Sequence, residues 1–299
     1  MFHSKSAPEC EFPIISAHFK VYIYQPKNDF YQLSFADRLK EVEDNIELAK
    51  ENLKGFSKKG LIKAIFIAPE YLFKDLNKSG KEKYYSQEQK NQFKNTLIRL
   101  SQDSELILAP GTICWQKTSK ENQKIYYRNM IYFVYKTQVM KYRKSNPHLV
   151  YDFDFSGGRL NQSVFFKKGS VANSNIIKLN GLHIGVEICL DNYKNQITNA
   201  DEVSKIDAHV IVADKLPEVN LLPLSGILSI KVEREPKYQT FVGIQENKSF
   251  EVELHDAETI NSLTPDLTSY TFLDFKLKNE PLKGYQPQKD TSINCLINN

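Results

Sequence analysis

The sequence predicts an α/β protein in which two mixed β-sheets pack together. Segments 17–25 and 61–69 are predicted strands and segments 34–54 and 86–100 are predicted helices, so the chain begins strand–helix–strand–helix. Hairpins follow, and a total of eight or more predicted strands exceeds what one small sheet needs. The sequence has no Gly/Ser-rich or Pro-rich linker and no internal repeat, which favours a single domain over residues 1–299.

The first elements follow from three different hydrophobic patterns. Segment 17–25 alternates and is rich in β-formers, as expected of a strand. Apolar residues recur in 34–54 at steps of three and four, with Ser34 at the N-cap position and Gly55 after the last turn, which predicts an amphipathic helix. Segment 61–69 is almost continuously apolar, which is typical of a strand covered on both faces.

The later elements are predicted in the same way. They are a helix at 86–100, a buried strand at 106–115, a hairpin at 128–144 that turns near 136–138, a second hairpin at 175–190 with Asn-Gly at its turn, a strand at 207–214, a helix at 225–235, and strands within 238–256. The tail is mixed and polar.

Composition excludes several classes of protein. No run of about 18 apolar residues is present, so a membrane-spanning helix is not expected. Forty basic residues against 36 acidic ones give a net charge of +4, which is too small to predict a nucleic-acid or membrane-surface partner. Four widely spaced cysteines without a CxxC pair predict neither a disulfide framework nor a zinc site. Free thiols favour a reducing compartment, and we expect a cytoplasmic protein.

Three places in the sequence could carry chemistry. Glu70 follows a buried strand, next to Tyr71, and partial desolvation would raise its pKa toward the range of a general base. Cys189 ends another apolar strand, where backbone N–H groups could stabilise a thiolate or an oxyanion. A lysine in the segment KYRKSNPH (141–148) could stabilise an oxyanion as well. Taken alone, each is more often a loop carboxylate, an inert buried thiol or a surface lysine.

The order and spacing of these three segments resemble the signature of the nitrilase superfamily of carbon–nitrogen hydrolases. The matching segments are FIAPEYLF (66–73), KYRKSNPH (141–148) and GVEICLDN (185–192). The resemblance falls on Glu70, Lys144 and Cys189, and Lys144 is preferred to Lys141 because Tyr142 precedes it at the Y-x-K spacing. Weaker similarity extends over about 17–215 and fades beyond that point.

The resemblance implies a four-layer α-β-β-α sandwich, usually dimerised through its helical faces. It also implies that Cys189 attacks an amide or nitrile carbon, that Glu70 acts as general base and acid, and that Lys144 stabilises the intermediate. The N–H of Leu190 would complete the oxyanion site. No metal and no organic cofactor is implied, and Asp191 favours a small amide or carbamoyl amide over a nitrile.

Two departures from the family pattern leave alternatives open. Gln162 stands where many members have a second glutamate beside the lysine, although Asp152 or Asp154 could supply that charge instead. The segment CLDN also replaces a more common sequence after the cysteine. A catalytically weak binding or regulatory protein on the same fold is therefore the main alternative. Two weaker alternatives are a lysine-rich nucleic-acid binder and a calcium-binding loop that begins with residues 152–157. The calcium loop is disfavoured because its twelfth position is Ser163, where calcium needs Glu.

Overall fold

Two mixed sheets packed face to face form the centre of the protein in a computed structural model. The structure describes residues 19–54, 64–153, 164–169, 175–194, 197, 203–222, 224, 226–245, 257–259 and 266–272. The strands are β1 (Phe19–Tyr24), β2 (Ala64–Ala68), β3 (Leu106–Pro110), β4 (Thr112–Thr118), β5 (Ile125–Tyr135), β6 (Gln138–Arg143), β7 (Val164–Phe166), β8 (Ile176–Leu179), β9 (Leu182–Ile188), β10 (Ala208–Ala213), β11 (Ile227–Glu233), β12 (Phe241–Gln245), β13 (Ala257–Thr259) and β14 (Leu267–Phe272). The helices are α1 (Phe35–Leu53), α2 (Gln87–Ser101), α3 (Leu149–Phe153) and α4 (Leu190–Tyr193).

The strands form one nine-stranded and one five-stranded sheet. The larger sheet runs β13-β14-β1-β2-β3-β5-β4, and β6 and β7 also pair with the long strand β5. Its strands β1, β2 and β3 are parallel. The smaller sheet runs β12-β11-β10-β9-β8, with β9, β10 and β11 parallel. Because parallel strands end on the same side, the residues that follow β2 and β9 are placed at carboxyl ends, where α/β proteins commonly bind ligands.

Side-chain alternation along the strands builds two apolar layers. One face of each sheet contributes to the core between the sheets, for example Ile65, Ile131, Val186 and Val210. The opposite face of the large sheet packs with the apolar faces of α1 and α2. The period of two in β-strands therefore puts β1, β2, β3 and β5 between two apolar layers.

Both long helices begin after a serine cap, of which only the cap at Ser34 was predicted. The Ser34 hydroxyl accepts a hydrogen bond from the Asp37 N–H at 3.2 Å and begins α1. Ser86 and Gln89 form a capping box at the start of α2, which satisfies two backbone donors that the first turn would leave unpaired. Gly55, the predicted end of α1, lies outside the described residues.

The outer face of the five-stranded sheet differs from the outer face of the large one. In the described part of the chain it carries the four-residue helix α4, a 3₁₀ turn at 203–205 and extended segments, and no long helix. These segments still bury an apolar cluster, which contains Ile197, Ile206 and Leu222. The predicted layered sandwich is thus confirmed, and those residues of its fourth layer that the structure describes form mainly loops.

Two predicted elements were wrong in detail. The predicted helix at 225–235 is strand β11, all seven residues of which are buried. Leu228, Ile230 and Val232 face the core between the sheets, while Ser229, Lys231 and Glu233 lie on the covered outer face. Residues 228–233 therefore alternate between apolar and polar with the period of two that is typical of a strand, and the helix prediction overlooked this pattern. The predicted strand 106–115 is divided at Gly111, which has a φ of +65°. A Cβ there would lie 2.3 Å from the Pro69 carbonyl oxygen, so only glycine fits.

None of the helices in the described residues has the length and apolar character needed to cross a lipid bilayer.

Candidate active site

The three residues singled out by the sequence meet at one end of the sandwich. Glu70 follows β2, Lys144 follows β6 and Cys189 follows β9. Glu70 and Lys144 are fully buried, and Cys189 is partly exposed. The Lys144 Nζ lies 2.7 Å from Glu70 Oε1, whereas Lys141 is exposed on β6. The large sheet therefore supplies an ion pair, and the small sheet brings a thiol to it.

The Lys144 ammonium lies between two carboxylates. Its second partner is Asp152, with Nζ and Oδ2 2.8 Å apart. Asp152 also accepts hydrogen bonds from the Tyr71 hydroxyl (2.8 Å) and the His148 N–H (2.7 Å). Burial opposes both charges, but the attraction of Lys144 lowers the pKa of Asp152, and Asp152 with Glu70 raises the pKa of Lys144 well above its usual value. The lysine is consequently a fixed cation at neutral pH.

The two oxygens of the Glu70 carboxylate differ in their hydrogen bonding among the described residues. Oε1 accepts hydrogen bonds from Lys144 and from the Asn129 amide at 2.8 Å. Oε2 is buried and has no hydrogen-bond partner among the described residues. Burial, partly offset by Lys144, raises the pKa of Glu70 to about 7. A carboxylate with this pKa and a free oxygen can accept a proton near neutral pH.

Cys189 stands on a tight turn between β9 and α4. Its φ is +48°, which is uncommon for a residue with a side chain and is typical of functional turns. The backbone N–H donates to the Val212 carbonyl at 2.9 Å, and the thiol donates to the Asp214 carbonyl at 3.6 Å. Burial and the Glu70 charge raise the pKa of the thiol well above its usual value. The Cys189 thiol is therefore neutral at rest and would need a base in order to act as a nucleophile.

Two predicted supporting residues adjoin this group. Leu190 begins α4 directly after the nucleophile, and no acceptor for its N–H is found within the described ranges. Tyr71 is buried, has a φ of +59°, and donates its N–H to the Thr112 hydroxyl at 2.8 Å. Its backbone shape turns the chain after Glu70 so that its own hydroxyl reaches Asp152.

The third predicted supporting residue, Gln162, lies outside the described residues, as does the alternative Asp154. The structure places the other alternative, Asp152, directly against the lysine. Within the described residues, the Asp152 carboxylate contacts Lys144, the Tyr71 hydroxyl, the Asn129 amide and the His148 N–H. Within the described residues no group of three metal-binding side chains occurs.

Asp191 connects the nucleophile turn to the lysine segment. It accepts hydrogen bonds from the Tyr142 hydroxyl (2.8 Å), the Ser145 N–H (3.1 Å) and the Asn146 N–H (2.6 Å). Burial raises the pKa of Asp191 to about 6. Because these donors flank Lys144, Asp191 holds the lysine segment at a fixed distance from Cys189.

Sequence reasoning missed two residues beside the site. Asn129 is a polar residue within an otherwise apolar stretch of β5 and was predictable as a buried hydrogen-bonding group. Lys74 is buried, lies 4.5 Å from the centre of the Tyr71 ring, and donates to the Tyr151 carbonyl. Nothing in the lysine-rich sequence distinguishes Lys74 from its many surface counterparts.

The fold matches solved structures whose sequences have low identity to this chain. No protein family model and no curated protein matches the sequence. Nit3 of Saccharomyces cerevisiae, a member of branch 10 of the nitrilase superfamily, has a TM-score of 0.53 at 15% identity, over 86% of this chain and 90% of its own. The carbon–nitrogen hydrolase from Helicobacter pylori G27 has a TM-score of 0.52 at 12% identity, and the match covers 87% of this chain and 83% of that one.

A third similar structure is a cysteine-to-serine mutant of the Nesterenkonia AN1 amidase from the nitrilase superfamily. Its TM-score is 0.51 at 13% identity, and the match covers 89% of this chain and 96% of that one. At such low identity the similarity establishes architecture, which three independent matches support together with the observed sheet order. The chain therefore has the fold of the nitrilase superfamily.

Proposed function

We propose that the protein hydrolyses a non-peptide C–N bond of a small linear amide or carbamoyl amide through a cysteine thioester. One observation carries this proposal: a partly exposed thiol adjoins a buried glutamate whose second oxygen is open and a lysine held charged between two carboxylates. These are the nucleophile, base and electrophilic groups that acyl transfer needs. Amidases among the similar structures support the same reaction class.

In the first half of the reaction, Glu70 removes the thiol proton of Cys189 while Sγ attacks the carbonyl carbon. The negative charge that develops on the carbonyl oxygen is stabilised by the Lys144 ammonium and the Leu190 N–H. When the tetrahedral intermediate collapses, the C–N bond breaks and the protonated Glu70 returns its proton to the departing nitrogen. An amine or ammonia leaves, and the acyl group remains on Cys189 as a thioester.

In the second half, Glu70 removes a proton from water, which attacks the thioester carbon. The same oxyanion groups stabilise the second intermediate. Its collapse breaks the C–S bond, releases the carboxylic acid and returns the proton to Sγ. Glu70 thus acts twice as a base and twice as an acid, which suits a pKa near the working pH.

The alternative of a catalytically weak binding protein rests on Gln162 at the position of a second glutamate and on the unusual segment CLDN after Cys189. The contact between Asp152 and Lys144 counts against the first ground, because the lysine has two anionic neighbours without a glutamate at position 162. Hydrolysis is therefore the function that this geometry favours.

The test is mass spectrometry of the intact protein during turnover of a panel of short amides, with ammonia release as the rate assay. We expect an acyl adduct on Cys189 that hydroxylamine removes, and loss of both adduct and turnover in Cys189→Ala. Cys114→Ala is the matched control, because Cys114 is fully buried in β4 and should leave the adduct intact. Full turnover by Cys189→Ala would overturn the proposal, and so would a panel that gives neither adduct nor ammonia.

A further inference from the structure

Six cations gather on the large sheet on the face that α2 covers, away from the thiol. We call them the basic cluster. They are Lys90 and Lys94 of α2, Lys117 of β4, Arg128 of β5, and Lys141 and Arg143 of β6. The formal net charge of the whole chain is only +4, so the cluster is a local excess of positive charge.

Strand register explains how the cluster forms. Arg128 pairs with Trp115 across β4 and β5, while Arg143 pairs with Met130 and Lys141 with Tyr132 across β5 and β6. Residues paired across antiparallel strands share a face, so these side chains stand together, beside the apolar residues that pack against α2. The Lys90 Nζ and the Arg128 Cζ lie 4.9 Å and 4.6 Å from the centre of the Trp115 ring.

No anionic side chain of the described residues balances these cations, since none of the six forms an ion pair there. In the same part of the chain the buried Nε atoms of Arg128 and Arg143 have no hydrogen-bond partner. Burial and the neighbouring cations lower the pKa of Lys90 and of Arg128. Four of the six cations (Lys90, Lys94, Arg128 and Arg143) are half-buried, and Lys117 and Lys141 are exposed. Half-buried, mutually repelling cations with unused donors oppose folding, which is expected where a ligand supplies the missing charge.

The chemistry of the cluster selects the ligand. Arginine presents a planar fork of donors that fits phosphate oxygens, and lysine adds point charge. Two guanidinium and four ammonium groups exceed the charge of a single phosphate. The Trp115 ring is only 4% exposed, so it cannot stack against a nucleic-acid base, and recognition must rest on charge. We propose that the basic cluster binds a small anion with two or more linked phosphate groups.

The proposal is tested by isothermal titration calorimetry of the full chain with inorganic tripolyphosphate, in roughly 0.15 M salt to suppress weak surface binding. We expect saturable binding to one site. The variant Arg128→Gln/Lys141→Gln should weaken it at least ~10-fold, the loss expected when charge-assisted contacts disappear. Lys78→Gln/Lys237→Gln removes the same charge from exposed sites outside the cluster and should change the affinity by less than about twofold.

A second variant, Lys94→Gln/Lys141→Gln, keeps the Arg128–Trp115 contact and replaces the first variant if thermal unfolding shows that the latter is misfolded. Three results would overturn the proposal: no saturable binding below about 1 mM, equal weakening by the control pair, or sulfate at matched ionic strength binding as tightly as tripolyphosphate. Binding of single-stranded oligonucleotide without binding of tripolyphosphate would also overturn it, in favour of a nucleic-acid surface.

Discussion

The protein buries two polar clusters that each join a glutamate to a basic side chain, and only one of them has the groups that the proposed reaction requires. The first, the active cluster, contains Glu70, Lys144 and Asp152 beside Cys189. The second, which we call the outer cluster, lies on the outer face of the small sheet and contains Glu187, Asn192, His209 and Asn220. In it, Glu187 Oε2 accepts from the Asn192 amide at 2.6 Å and lies 2.9 Å from His209 Nε2.

The clusters differ in where their unused hydrogen-bonding capacity lies. In the outer cluster both Glu187 oxygens are engaged, the second by the Ile197 N–H at 3.4 Å. Its polar atoms without a hydrogen-bond partner among the described residues are His209 Nδ1 and the Ser229 hydroxyl on the neighbouring strand, and both side chains are almost completely buried. In the active cluster the open atom is Glu70 Oε2, next to a partly exposed thiol. Burial and a basic neighbour therefore do not define a catalytic site; an open base beside an accessible nucleophile does.

Matched substitutions of the two glutamates should give the largest difference. We expect Glu70→Gln to lower kcat/KM by ~10³-fold, because the amide cannot take the thiol proton. Glu187→Gln should change kcat/KM by no more than about threefold and instead lower stability by about 1–3 kcal/mol, since its hydrogen bonds are disturbed in a buried site. Initial rates and urea denaturation measure the two effects. Equal activity losses in the two variants would remove the distinction between the clusters.

Neutralising Asp152 should have the next largest effect. Asp152→Asn removes one of the two charges that hold Lys144 protonated and leaves a buried cation less well compensated. We expect kcat/KM to fall ~10²-fold, consistent with loss of electrostatic stabilisation of the oxyanion. Tyr71→Phe, which removes only one neutral hydrogen bond to Asp152, is the control and should cost about tenfold or less. Wild-type rates in Asp152→Asn would show that Lys144 does not need this partner.

The pH profile separates the clusters by the group that titrates. Glu70 must be ionised to act as a base, and burial raises its pKa to about 7. The rate constant kcat/KM should therefore be level above that pH and fall about tenfold per unit below it. Because the Asp152 charge contributes to the raised pKa of Glu70, Asp152→Asn should move this acid limb to lower pH. Glu187→Gln should leave the limb in place, and an unmoved limb in Asp152→Asn would contradict the assignment to Glu70.

The sequence predicted the active cluster better than the outer one for a physical reason. Glu70, Lys144 and Cys189 each follow a strand that a local pattern reveals, and their order along the chain resembles a known signature. Glu187, in contrast, lies within an apolar strand, and its partner His209 lies in another one. Their pairing depends on the parallel register of β9 and β10, which no local pattern contains.

The error at β11 is of two kinds. Its period of two over residues 228–233 is present in the sequence, so the helix prediction there was avoidable. The burial of its polar residues Ser229, Lys231 and Glu233, in contrast, was not predictable from a local pattern. Lys231 donates to the Leu216 carbonyl at 3.1 Å, and Glu233 accepts from the Lys215 and Leu216 N–H groups at 2.5 and 3.1 Å. Such polar residues are buried because a loop from elsewhere in the chain satisfies them, and their contacts are visible only in three dimensions.

The smallest expected effect lies at the residues that join the two clusters. In α4, Asp191 faces the lysine segment, and the next residue, Asn192, belongs to the outer cluster. Burial raises the pKa of Asp191 to about 6, so its neutral form is only modestly disfavoured at neutral pH. The variant Asp191→Asn imitates that neutral form and keeps an acceptor oxygen for the Ser145 and Asn146 N–H groups. We expect a loss of about fivefold in kcat/KM with an unchanged acid limb, because the lysine segment shifts while Glu70 keeps its environment.

Asn192→Ala should lower stability by about 1–3 kcal/mol through the unpaired Glu187 but leave kcat/KM within about twofold. Rates and thermal unfolding of both variants, measured side by side, show whether the outer cluster affects turnover. If Asn192→Ala slows turnover more than Asp191→Asn, the outer cluster positions Cys189, and the two clusters act as one unit.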